Sequence, residues 1–292
     1  MNLKRRRWLK MKKGKIDLIL QRTLIYVTLS LLVAIIIFLF YIMIVNASRP
    51  HADIQKGFAI WFSDYFGINL ENLLANKNIN VLNAMKNSLI IASITATFTT
   101  YVSALTAYGI HLYRFKGRQF VYMFILAVMM IPSQIANIGL VTILYSLGLV
   151  DNYWVIILPS LAAPATFFFI KQYLDSILPY EVVESGRTDG ASELRIFHRI
   201  VLPMIKPALA VQFIFAFVAS WNNFFLPSLV IQSPDKRTIP IVISLLKNSS
   251  PDTFDLGPVF MFMVLAIVPM LIVYLIFSRQ IIKGVTLGSV KG

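Results

Sequence analysis

The chain has 292 residues, 58% of them hydrophobic and only 14% charged, with 27 Lys and Arg against 13 Asp and Glu and a formal net charge of +14. That little charge leaves too little polar surface to cover a water-exposed globule, which excludes a soluble domain and points to one membrane domain. The absence of cysteine excludes disulfide frameworks, thiolate metal sites and thiol nucleophiles.

Residues 1–22 form a basic leader in which Lys4, Arg5, Arg6, Arg7, Lys10, Lys12, Lys13 and Lys15 suit contact with anionic lipid and set orientation. A nucleic-acid role does not fit, because the remaining cations are scattered between apolar runs rather than gathered on one face. The first apolar run, Thr23 to Val45, would be about 35 Å long as a helix, more than the h-region of a cleaved signal. It is expected to be a retained span.

Residues 23–292 read as one transmembrane domain. Five further runs lack Asp, Glu, Lys and Arg altogether: Ser88 to Ile110, Phe120 to Leu147, Tyr153 to Ile170, Ala208 to Ile231, and Pro258 to Phe277. Each charge at a helix centre would cost a few kcal/mol on insertion, so the clean interiors favour six spans. Pro132 inside the second of these runs predicts a kink. With the N-terminus inside, 20 of the 27 Lys and Arg fall in inner segments, including Arg114, Lys116, Lys171, Arg187, Arg199 and Arg279. Six helices with both termini cytoplasmic satisfy the positive-inside rule at every loop.

Two loops exceed simple turns. The outer one, Asn46 to about Met85, carries Phe58, Ile60, Trp61, Phe62, Tyr65 and Phe66, an aromatic cluster suited to the membrane–water interface or to a docking partner. The inner one, residues 172–207, is patterned as two short helices. Pro179 and Tyr180 open the first, and Glu181 and Glu184 suit its positive N-terminal end. Gly190 permits a turn with positive φ. Ser192 is placed to cap the second helix, where Leu194, Phe197, Ile200 and Val201 recur at near-helical spacing before Leu202-Pro203 ends it.

Here the sequence resembles the coupling-helix or EAA loop of the permease subunits of binding-protein-dependent ABC importers. Glu184, Gly190, Ile200, Leu202 and Pro203 hold the motif's fixed positions, and Ser185-Gly186 replaces its Ala-Ala. Asn87-Ser88-Leu89, Trp221-Asn222 with Phe224, and the tail from Lys283 to Gly292 are similar to the second, six-helix permease of the maltose-type carbohydrate group. Asn223 stands where many relatives carry an acidic residue.

The resemblance implies an all-α integral membrane fold, the type I importer permease fold with cytoplasmic coupling helices, in a bacterial cytoplasmic membrane. It implies that Glu184, Ser185, Gly186, Asp189 and Gly190 couple to an ATPase, together with Leu194, Phe197, Ile200, Leu202 and Pro203. Leu194, Phe197 and Ile200 are expected to enter a groove on that partner, rimmed by Arg187, Arg195 and Arg199. An amphipathic helix lying on the inner leaflet would use the same stripe. The partners implied are a second permease forming a heterodimer, two ATPase subunits and an extracellular solute-binding protein.

No phosphate-binding glycine loop occurs, so this chain is not expected to be an enzyme; ATP and Mg would be used by the partner ATPase subunits. A path for sugars should offer neutral hydrogen-bonding groups and aromatics. Candidates are Ser133, Gln134, Asn137, Gln212, Ser220, Trp221, Asn222 and Asn223, for which interhelical hydrogen bonding is the competing reading. In the maltose-type group the sugar contacts lie mainly on the other permease. A permease for a non-sugar solute is the alternative. An ion-coupled transporter fits less well, since no carboxylate lies at mid-depth. His51, His111 and His198 are too scattered for a metal site and read as surface polar residues.

Overall fold

Small side chains recurring along one helix face organise the packing. The computed structural model describes residues 3–289 except 78, 252 and 253, and the side chains of residues 1–17, 279 and 281–289 lie outside that description. The elements run α1 (Leu3–Ala47), α2 (His51–Gln55), α3 (Phe66–Ala75), α4 (Val81–Leu112), α5 (Arg118–Val128), α6 (Ser133–Ser146), α7 (Trp154–Ser160) and α8 (Pro164–Ile177). Then follow α9 (Tyr180–Thr188), α10 (Glu193–Ile196), α11 (Leu202–Met204), α12 (Lys206–Trp221), α13 (Phe225–Val230), α14 (Ile239–Lys247) and α15 (Leu256–Ser289). A single π-helical turn, Phe197–Val201, joins α10 to α11. The architecture is all-helical, with no strand among the described residues. The leader's cations and the tail from Lys283 to Gly292 fall outside the described side chains.

Residues 1–71 and 255–264 form one compact unit. Its apolar helix portion, Leu18–Ala47, extends about 45 Å and keeps its most apolar stretch wholly unburied within the chain. The chain turns beyond it on a satisfied polar knot. Arg49, 8% exposed, donates to Asn46 Oδ1 at 3.1 Å, to Gly57 O at 3.0 Å and to Asp53 O. Asn69 donates to Ala47 O and Arg49 O, both at 2.9 Å. In the aromatic cluster Phe58 and Trp61 stay exposed, while Phe62 meets the Tyr41 ring edge-on at 5.7 Å.

Residues 72–254 and 265–292 form the second unit. Here α4 is central, packed against α12 and α8. Its buried face steps by three and four residues through Ala92, Thr95, Thr99, Ser103 and Ala107. Side chains this small let helix backbones approach closely, which is the main route to helix packing where lipid removes the hydrophobic drive. Asn87 and Ser88, the pair noted in the sequence, hold the segment before α14: Asn87 donates to Asp235 O and Arg237 O at 2.7 and 3.0 Å, and Ser88 Oγ accepts from Ile239 N at 2.9 Å.

Among the described residues, four helices are long and apolar enough to span: Leu18–Ala47, Val81–Leu112, Trp154–Ile177 and Leu256–Ser278. Two further runs are broken. The kink expected at Pro132 is a 94° break between α5 and α6, where a residue without an N–H caps the second helix. The run from Ala208 to Ile231 is also discontinuous. Helix α12 ends at Trp221, and Asn222 Nδ2 donates back to Val218 O at 2.9 Å, so α13 starts afresh at Phe225.

Candidate functional site

Two regions of the second unit gather the residues singled out above. The first is the hairpin of α9 and α10. The α9 helix runs Tyr180–Thr188 after Pro179, and Gly190 sits at φ +75°, the left-handed region its turn requires. Ser192 occupies the N-cap position with extended backbone, but its side chain makes no capping bond. Gly186 allows close approach: a Cβ there would lie 3.2 Å from Ile196 Cγ1 and Ile200 Cδ1.

An ionic latch closes the hairpin. Arg187 Nε donates to Glu193 Oε1 at 2.7 Å and its Nη1 donates to Glu184 Oε2 and to Tyr180 Oη, both at 3.2 Å. The hydrogen bond that Arg187 donates to Glu193 holds its guanidinium above its ordinary range. Tyr108 on α4 donates to Glu193 Oε2 at 3.1 Å. Glu193 therefore ties α9 and α10 to α4. Sequence reasoning passed over Glu193 and Tyr108; the acidic first turn after Ser192 was the signal available.

The apolar stripe is corrected. Phe197 is fully buried in this chain's own core, 5.4 Å ring to ring from Tyr108 and 6.0 Å from Tyr101, so it is not free to enter a partner's groove. Leu194, on the same stripe, remains 63% exposed. A π turn begins at Phe197: Leu202 N–H reaches Phe197 O five residues back, and Val201 within that turn is buried as well. Glu184, Ser185, Asp189 and Gly190 are exposed, Ile200 and Leu202 are half-buried, and Pro203 is exposed. The α10–α11 segment meets α12 at 82° and so lies across its end.

The histidines are bound rather than loose surface groups. His198 bridges Tyr101 Oη at 3.1 Å and Leu194 O at 2.7 Å. His111 bridges Asp175 at 2.7 Å and Leu178 O at 3.1 Å, and its side chain is largely buried. His51 Nδ1 accepts from Leu256 N at 3.0 Å. No group of His, Asp and Glu capable of holding a metal occurs among the described residues.

The second region is a cavity of about 510 Å³ between α4, α7, α8 and α12. Of the expected path residues, Gln212, Ser220 and Asn223 line it. Trp221 does not: it is 2% exposed and stacked on Phe217 at 5.5 Å, because one helical step carries it from the cavity face into the core. Asn222 is exposed and spent on the end of α12, and Ser133, Gln134 and Asn137 lie on α6, outside this cavity. Sequence reasoning missed Thr95, Thr99, Ser160 and Thr166, which complete the polar lining. Thr95 and Thr99 stand four apart on the small-residue face of α4, and that spacing could have flagged them.

Residues 100–286 match the family described as binding-protein-dependent transport system inner membrane component. The chain is 36% identical over 209 residues to the arabinooligosaccharides transport system permease protein AraQ of Bacillus subtilis (strain 168), a match covering 70% of this chain and 72% of that one. It is 32% identical over 267 residues to the lactose transport system permease protein LacG of Rhizobium radiobacter, covering 91% and 95%. In fold it is similar to a chain in the crystal structure of a bacterial ABC transporter involved in the import of the acidic polysaccharide alginate, with a TM-score of 0.72 at 21% identity over 87% of this chain and 93% of that one. The family match spans well over half the chain, and the π-turned hairpin crossing the end of α12 falls inside it: the protein belongs to the binding-protein-dependent transport system inner membrane components.

Proposed function

We propose that this chain is one of two permease subunits of an ATP-driven importer for a sugar or oligosaccharide, receiving its solute from an external binding protein. Both termini and the hairpin are cytoplasmic in this reading, with the two broken runs completing six spans; two separate ATPase subunits drive the complex, and Pro179 to Pro203 is this chain's docking element for them. One observation carries it: the hairpin is latched to α4 through Glu193 and Phe197, while Glu184, Asp189 and Leu194 face outward. A motor needs such an element, rigid toward the membrane helices and open toward a partner. The named relatives, permeases for arabinooligosaccharides and lactose, support a carbohydrate solute. An uncharged cavity lining suits the same solute class. ATP hydrolysis belongs to the partner subunits.

The test is reconstitution of the chain with a second permease, ATPase subunits and binding protein in proteoliposomes. ATP-dependent saccharide uptake requiring all four components is the expected result. Nucleotide turnover by the purified chain alone, or uptake without the ATPase subunits, would overturn the reading.

A further inference from the structure

The cavity between α4, α7, α8 and α12 holds buried polar groups that nothing in the chain matches. Gln212 is 6% exposed and Thr166 is 8% exposed, and neither side chain has a hydrogen-bond partner among the described residues. Thr95 is 4% exposed, and its Oγ1 is sealed from solvent without a partner. Buried amides and hydroxyls are almost always paired, so the unmatched Gln212 and Thr166 side chains lining one cavity require an explanation, whereas the sealed Thr95 hydroxyl is out of reach of its contents. By contrast Thr99 and Ser160 are matched internally, to Ser160 O and Ile156 O at 2.9 Å each.

The rest of the lining narrows what would match them. Phe168, Phe169 and Phe215 supply apolar faces, and among the described residues no Asp, Glu, Lys or Arg lines the cavity. Water would pair with the amide but would wet the phenyl faces; a lipid chain would cover the rings but leave Gln212 unpaired. A pyranose or furanose ring does both, offering hydroxyls that donate and accept beside apolar C–H faces. A uronate carboxylate would enter an uncharged, buried site with no counter-ion, which is strongly unfavourable. A volume of about 510 Å³ falls within the roughly 300–1,000 Å³ of small-molecule sites.

We infer that Gln212 and Thr166 form a saccharide subsite on this chain that accepts a neutral sugar unit and rejects an acidic one. The inference rests on the importer reading above and departs from the expectation that the sugar contacts lie mainly on the other permease.

The experiment uses the assembled importer in proteoliposomes with lactose, maltotriose, arabinotriose and trigalacturonate as probes. The wild type takes up at least one neutral probe and no trigalacturonate. Gln212→Leu, assembled to the same yield, lowers that uptake by roughly tenfold, the change expected for one lost hydrogen bond. Should Gln212→Leu fail to assemble, Thr166→Val, which keeps the shape and removes the hydroxyl, replaces it. Because the chain has no cysteine, Thr166→Cys adds a binding readout: a small thiol reagent labels it in the assembled importer, and the transported probe with binding protein slows that labelling several-fold.

Undiminished uptake by Gln212→Leu or Thr166→Val overturns the subsite. So does a Thr166→Cys already shielded before saccharide is added, which would mean that the second permease fills the cavity. Uptake of trigalacturonate but none of the neutral probes overturns the neutral selectivity and leaves the importer reading standing. Uptake of none of the four overturns the carbohydrate reading itself.

Discussion

Truncating Phe197 and truncating Leu194 should produce opposite failures, although the two residues lie three apart in one motif. The Phe197 ring is fully buried against Tyr101 and Tyr108, and emptying such a site by Phe→Ala typically costs about 3–5 kcal/mol. Taking roughly 3 kcal/mol as local opening of the hairpin raises the opened population by about two orders of magnitude. Tryptic cleavage at Arg187, Arg195 or Arg199 in the purified complex should accelerate accordingly, and uptake and uptake-coupled ATP hydrolysis should fall together. Leu194 is 63% exposed and contributes little to the hairpin's own stability. Leu194→Ala should leave the cleavage rate unchanged. As an interface anchor, however, it should weaken ATPase recruitment by about 2 kcal/mol, close to thirtyfold. Slow cleavage of Phe197→Ala with normal uptake would refute the inward role of Phe197, and unaltered ATPase affinity for Leu194→Ala would favour the hairpin lying on the inner leaflet.

Gly190 sits at φ +75° with open space where a Cβ would go, so only backbone strain, about 1–3 kcal/mol, penalises Gly190→Val; uptake should drop for Val and largely survive for Asn, and equal activity of the two would discount the turn. Asp151 accepts from Ser233 N at 2.9 Å, from Ser233 Oγ and from Lys236 Nζ at 2.9 Å, and these bonds, the Ser233 hydroxyl foremost, hold its carboxyl well below the usual range. A depressed carboxyl stabilises the fold above the unfolded value and loses that contribution as pH falls through and below about 4. The melting temperature of the wild type should therefore drop more steeply between pH 5 and pH 3 than that of Asp151→Asn, which should already be lower at pH 7; parallel curves would contradict this. Ser192→Cys should be protected from an impermeant thiol reagent in intact cells and labelled in inverted vesicles, and the reverse pattern would invert the proposed orientation.

Composition and the Lys/Arg distribution sufficed for a membrane chain built of apolar runs, because inserting charge into hydrocarbon is so costly that span positions are written directly in residue type. The hairpin was equally legible. Pro179, Gly190 and Leu202-Pro203 act through local backbone geometry, which depends on neighbours in sequence alone. What faces where was not legible. Phe197 and Leu194 belong to one stripe at α-helical spacing, yet Phe197 packs inward against Tyr101 and Tyr108 while Leu194 stays in solvent. Which edge of an apolar stripe meets the core is decided by neighbours distant in sequence.

The break after Trp221 was likewise hidden inside an uninterrupted apolar run, since it depends on the Asn222 side chain turning back to Val218. The cavity lay furthest from view. Thr95 and Thr166 stand 71 positions apart in the chain, and small polar residues on a spanning helix pack against neighbours far more often than they bind. Only the crossing of α4, α8 and α12 brings Thr95, Thr166 and Gln212 around one cavity and leaves Thr166 and Gln212 without partners there, because hydrogen-bond satisfaction is a property of three-dimensional neighbours.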